Sequence, residues 1–216
     1  MAGFDPALLI FLGVAVGLAP FFLMLMTSYV KLVVVMTLVR NALGVQQIPP
    51  TMVMNGLAMI MTMFIMAPVF HDCYEQLQKE NVSASPTIGQ VVGIADRISP
   101  PLKQFLQRNT DERVSNMLQA TAKRIWPEKM QQAIRSDSWV FVIPSFTITE
   151  LTKAFQIGFV LYLAFIAIDL IISNILLAMG MMMVSPTTIS LPFKLLLFVT
   201  LDGWLKLTQG LLLSYH

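Results

Sequence analysis

Apolar positions fall into four long uncharged stretches, Ala7 to Val30, Asn41 to Phe70, Ala154 to Ile168 and Leu170 to Phe193, and charge is concentrated in one middle segment. Each stretch covers most or all of the roughly 20 residues a bilayer-crossing helix needs. The pattern predicts a first helix over about Ala7 to Leu38, kinked at Pro20, then a turn through Gly44 and Pro49-Pro50, then a second helix over about Thr51 to Phe70. A second apolar hairpin is expected beyond about Glu150, turning near Gly180 to Pro192. From His71 to Lys153 the character changes: ten of the 14 basic and nine of the 12 acidic residues lie there, so this segment is aqueous. Val114, Met117, Leu118, Ala122 and Ile125 recur at helical spacing after Thr110, a candidate cap. Trp139 to Phe146, rich in β-branched and aromatic residues, reads as a short strand or an extended lead-in.

The expected fold class is therefore an all-α membrane protein, with apolar helical hairpins at 1–70 and 154–216 flanking a mostly helical aqueous domain at 71–153. Composition agrees: 56% of the residues are hydrophobic, 12% are charged and the mean hydropathy is +0.72. A net charge of +2, mixed in sign along the chain, argues against a nucleic-acid partner. The N-terminal stretch has no basic region before it and is too long for a secretory signal, so it is expected to be a retained helix. Orientation follows from the short loop, where Lys31 and Arg40 have no acid nearby. Those charges place residues 40–50 in the cytoplasm and the middle domain and both termini outside.

Chemistry that needs clustered ligands or nucleophiles is poorly supplied. Cys73 is the single cysteine, His71 and His216 are the only histidines, and the potential ligands from His71 to Glu75 are nearly adjacent. Nucleophile elbows, P-loops, zincin motifs and dinucleotide fingerprints are all missing from the sequence, which argues against an enzyme and calls for no cofactor or metal.

The informative residues are charges inside apolar surroundings: Lys31, Asp169, Lys194, Asp202 and Lys206. Each costs roughly 2.5 to 3.5 kcal/mol at the centre of a span. Between Leu191 and Leu213 that cost about cancels the gain from the apolar side chains, so this segment is not expected to sit alone in lipid. Asp202 and Lys206 are four apart, and on one helix they would share a face and pair. Asp169 has no basic residue within a turn, so its partner must lie elsewhere in the fold or on another subunit. The turn Met179-Gly180-Met181-Met182-Met183 concentrates flexible thioether side chains, which suit either ordinary packing or a deformable constriction.

The stretches LVRNALGVQQIPP and GLAMIMTMFIMAPV, then ITELTKAFQIGF, MGMMMVSPTTISLPFKLLLF and LDGW, resemble the FliP/SctR (YscR) family of inner-membrane proteins of the type III secretion export apparatus. The match covers about half of the chain and includes the loop residues Arg40, Asn41, Gly44, Pro49 and Pro50; the first residues and the interior of the middle domain carry little of it. The absent signal and the loop LGVQQIPP look more like the injectisome branch than the flagellar one. The resemblance implies a non-enzymatic subunit of a bacterial inner-membrane export gate with a large periplasmic portion. It implies a homo-oligomer, five copies in the usual assembly, forming a helical ring with FliQ/SctS-like and FliR/SctT-like subunits. Neighbours would be FlhB/SctU-like and FlhA/SctV-like components and the inner rod or needle base, and the cargo would be unfolded proteins. The family's methionine seal maps onto Met179, Met181, Met182 and Met183. The competing reading is a small secondary transporter or ion channel that uses Asp169 and Asp202.

Overall fold

The computed structural model describes residues 6–45, 47–80, 87–131, 135–181 and 183–215, and among them every regular element is a helix. In chain order these are α1 (Pro6–Leu25), α2 (Tyr29–Leu43), α3 (Thr51–Gln78), α4 (Ile88–Ile98), α5 (Pro100–Asn109), α6 (Glu112–Ile125), α7 (Glu128–Gln131), α8 (Trp139–Ala178), α9 (Pro186–Thr200) and α10 (Gly203–Leu213). Helices α1, α3 and α8 are each long and apolar enough to cross a membrane, and α9 with α10 would make a fourth such length but for a bend of 60° between them. The residues form two compact units, one from Met1–Val30 and Met63–Glu150 and the other from Lys31–Thr62 and Leu151–His216.

In the first unit, α1 ends at Leu25 and the expected single first helix is instead two. Pro20 stays inside α1, as prolines do in apolar helices whose freed carbonyls find other donors. The break comes at residues 26–28, between α1 and α2, where the Thr27 hydroxyl donates to the Leu23 carbonyl at 2.5 Å. Leu106, Val142 and Phe146 make the buried centre, with Met26, Phe105 and Trp139 packed on it. That packing explains why Trp139 to Phe146 is neither strand nor extended segment but the first turns of α8. Trp139, Val142 and Phe146 fall at i, i+3 and i+7, so a helix buries all three on one side, overriding their β preference. The Thr147 hydroxyl, on the same helix, donates to the Leu25 carbonyl at 3.1 Å.

The smaller helices are defined by their ends. Thr87 and Gln90 form a capping box at α4, and Pro100 starts α5. At α6 the cap is Asp111, which accepts from the Arg113 N–H at 2.9 Å, while Thr110 closes α5 and donates to the Leu106 carbonyl. Helix α3 continues eight residues past the expected end at Phe70, because charge on a helix changes its solvent and does not stop it.

In the second unit, α2 buries Leu32, Val35, Met36, Val39, Ala42 and Leu43, a stripe at i, i+3, i+4, i+7, i+10 and i+11. Gly158 of α8 lies against Leu38 so closely that a Cβ there would collide with the leucine side chain. At its far end α8 closes with paired hydrogen bonds, Gly180 N–H to Leu177 O at 3.0 Å and Met181 N–H to Leu176 O at 2.9 Å. Gly180 at φ +72° supplies the left-handed residue this closure requires. Pro186 then opens α9.

Candidate functional site

Polar groups buried among apolar helices make the clearest constellation. Asp169 of α8 and Lys194 of α9 pair at 2.6 Å, with the lysine side chain 6% exposed and the aspartate 29%. The second carboxylate oxygen accepts from the Ser190 hydroxyl at 2.5 Å, and the ammonium also donates to the Ala42 carbonyl at 3.3 Å. Ala42 lies in the last turn of α2, where unpaired carbonyls and the helix dipole favour a cation. Three helices thus converge on one ion pair whose charge is neutralised locally. Ser190 was not singled out from sequence, although its position four residues before Lys194 places both on one face of a helix.

Lys31, at 1% exposure, has its ammonium 3.5 Å from the centre of the Tyr215 ring, a cation–π contact in a desolvated place. Nothing in the sequence joins residues so far apart in the chain. Glu150 is another buried charge that apolar-run reading missed, because it sits at the edge of a charged segment.

Asp202 and Lys206 do not pair among the described residues. Asp202 is not on the helix of Lys206: it occupies the junction before α10 with φ 52° and ψ 45°, and its side chain caps nothing. Beside it, the missing Cβ of Gly203 leaves room for the Phe198 ring, which meets Trp204 edge-on at 5.4 Å. Lys206 is exposed and lines an apolar groove of about 710 Å³ together with Val160, Ala164 and Phe165 of α8 and Leu207 of α10.

The loop matched to the family is held by Arg40, whose guanidinium donates to the Pro49 carbonyl at 3.3 Å and the Thr51 hydroxyl at 3.1 Å. Gly44 at φ +79° ends α2, Asn41 accepts the Gly44 N–H through its carbonyl, and Pro50 accepts from the first turn of α3. In the methionine turn, Met179 and Met181 are exposed at 66% and 41% and Met183 is fully exposed; Met182 lies outside the described residues. Among the described residues no three His, Cys, Asp or Glu side chains are grouped as metal ligands would be.

Comparison with known proteins gives this arrangement its context. The FliP family profile matches residues 12–211. The chain is 51% identical over 198 residues to Yop proteins translocation protein R of Yersinia pestis, covering 92% of this chain and 91% of that protein. It is 45% identical over 217 residues to Hypersensitivity response secretion protein HrcR of Ralstonia nicotianae, covering all of both. Virulence protein YscR of Salmonella typhimurium is 46% identical over 188 residues, which is 87% of this chain and 86% of that one. With a profile match across nearly its whole length and relatives this similar from end to end, the chain belongs to the FliP family, in its YscR/HrcR branch, and is a component of the type III secretion export apparatus.

Proposed function

We propose that this chain is a pore-forming subunit of the type III export gate of an injectisome, carrying unfolded proteins across the bacterial inner membrane and closing behind them with its methionine turn. The observation that carries this reading is the turn itself. Met179, Met181 and Met183 are turned out to the surface between α8 and α9, on a turn pinned by the Gly180 closure. Exposed thioethers are wasted on a packed monomer and suit a shared, deformable constriction formed by several copies.

Other features fit. Large apolar side chains stand exposed along α1, α3 and α8, as subunits in lipid or in a larger helical assembly require. Asp169 is occupied by Lys194 and Ser190, which favours a structural role for it over ion carriage. In this reading, segments 1–70 and 154–216 are the apolar hairpins and 71–153 is the periplasmic domain that meets neighbours around a ring of about five copies. The partners are SctS-like and SctT-like subunits, with SctU-like and SctV-like components and the needle base adjoining. Chemistry belongs elsewhere in the apparatus, and this chain contributes a conduit.

The test is to replace Met181, Met182 and Met183 with glycine in the intact apparatus and record conductance in planar bilayers. The expected result is a quiet unmodified complex and a leaky variant of unchanged native mass. A variant as tight as the parent, or a large resting current in the parent, would overturn the seal. A native mass of one or two chains, unchanged by the small membrane partners, would overturn the ring.

A further inference from the structure

The chain has 16 methionines, and the structure sorts those it describes by their access to water. Met36, Met54, Met61 and Met66 are buried, whereas Met179, Met181 and Met183 all stand open on one turn. Met24, Met59 and Met63 are open too, but they lie on α1 and α3, helices long and apolar enough to cross a membrane, and a polar oxidant enters hydrocarbon only at a cost. Met52, in the first turn of α3, and Met117 and Met130 of the middle segment are the other exposed thioethers among the described residues, and they lie apart from one another in the chain.

A thioether needs no activating base to be oxidised. Its sulfur lone pair attacks the terminal oxygen of a hydroperoxide, and the S–O bond forms as the O–O bond breaks. The hydrogen on the transferred oxygen passes to the departing one, leaving a sulfoxide and an alcohol, or water where the oxidant is hydrogen peroxide. Sulfur loses two electrons and the peroxide gains them. The backbone hydrogen bonds of this turn, Gly180 N–H to Leu177 O, Met181 N–H to Leu176 O and Val184 N–H to Met181 O at 3.3 Å, involve no methionine side chain. Oxidation therefore changes the surface and leaves the closure of the turn in place. A sulfoxide is polar and accepts hydrogen bonds, so it holds the water that an apolar constriction expels. We propose that Met179, Met181 and Met183 form an oxidation-sensitive site, at which a hydroperoxide opens the constriction by making sulfoxides that methionine sulfoxide reductases reverse. This rests on the reading of the turn as a seal and adds the chemistry by which the seal is released.

The test exposes the whole export complex in planar bilayers to hydrogen peroxide, with Cys73→Ser removing this chain's one thiol, and maps the products by peptide mass spectrometry. The turn peptide should gain about 16 Da per added oxygen before Met36 and Met66 do. Conductance should rise severalfold, and reductases for both sulfoxide epimers should return it to its starting level. A variant with Met179, Met181, Met182 and Met183 all replaced by leucine keeps apolar bulk without oxidisable sulfur, and it should stay tight before and after peroxide. Turn methionines oxidised no faster than Met36 and Met66, or turn sulfoxides without a rise in conductance, would overturn the proposal and leave the seal standing. So would a leucine variant that opens in peroxide as the parent does, since the effect would then lie in other residues. Failure of the seal itself reads differently: a large current in the untreated complex would overturn both.

Discussion

Asp169 and Lys194 meet at 2.6 Å although they lie on different helices, and each has a second polar partner, Ser190 for the acid and the Ala42 carbonyl for the base. Removing one member leaves the other charged in apolar surroundings, which costs about 3 kcal/mol, the low end for buried pairs because the aspartate is partly exposed. Lys194→Met and Asp169→Asn should each lower the melting temperature of the detergent-extracted protein. The double variant should recover most of the loss, since no orphaned charge remains. Equal and additive losses would mean that the two residues act separately.

The contact of Lys31 with Tyr215 predicts a requirement for the aromatic ring. The ammonium is buried, and the ring face is what lies 3.5 Å from it. Tyr215→Ala should cost about 2 kcal/mol, the value for a desolvated cation–π pair, and Tyr215→Phe, which keeps the ring, should retain most of that. A Phe variant as weak as the Ala variant would assign the stabilisation to the hydroxyl.

Apolar run length was enough to show helices in the regions of α1, α3 and α8, but not their ends: α1 stops at Leu25, α3 goes on to Gln78, and α8 begins at Trp139 and runs through Asp169. Breaks were legible only where their cause was local. Gly180 and Pro186 announce the turn between α8 and α9, whereas neither glycine nor proline marks the split at Thr27-Ser28, and the more conspicuous Pro20 stays inside α1. The short strand or extended lead-in expected at Trp139 to Phe146 gave way for a different reason: its residues favour β locally, but Leu106 and Phe105 supply a surface that a helix covers with Trp139, Val142 and Phe146 at once. Among the charges, spacing suggested Asp202 with Lys206 and could not find Asp169 with Lys194, because pairing within one helix is visible in sequence and pairing across helices is a property of the fold.

In the middle segment, Arg97 donates to both oxygens of Glu80 at 2.7 and 2.8 Å and holds that carboxyl below the usual glutamate range. A folded pKa below the unfolded value means the pair stabilises above about pH 4.3, the unfolded value, and is lost as pH falls through the lower folded one. Asp137 behaves alike, lowered chiefly by Arg135 and further by Lys103. Amide exchange in α4, corrected for its intrinsic pH dependence, should stay level from about pH 8 to about pH 5 and accelerate only below the ordinary carboxylate range. In Arg97→Gln the Glu80 carboxyl titration followed by NMR should move back up; a midpoint that stays put would remove Arg97 as its cause.

The bend between α9 and α10 rests on two adjacent residues with opposite demands. Asp202 adopts the left-handed conformation, which costs most L-residues roughly 1 to 2 kcal/mol but is tolerated by Asp and Asn, and Gly203 leaves room for the Phe198 ring. If charge were the role of Asp202, Asn would be harmful and Gly worse. Backbone geometry predicts the reverse order: Asp202→Asn neutral, Asp202→Gly neutral or more stable by about 0.5 to 1 kcal/mol, and Asp202→Val less stable by about 1 to 2 kcal/mol. Gly203→Val should be worse than any of these, because its side chain meets the aromatic ring as well, and Phe198→Ala in the same chain should return part of the loss. Melting temperatures of the five variants in detergent decide between the two accounts. Ordering by charge would restore Asp202 as a partner for Lys206, while ordering by conformational freedom leaves the lysine uncommitted and the bend as a property of the backbone.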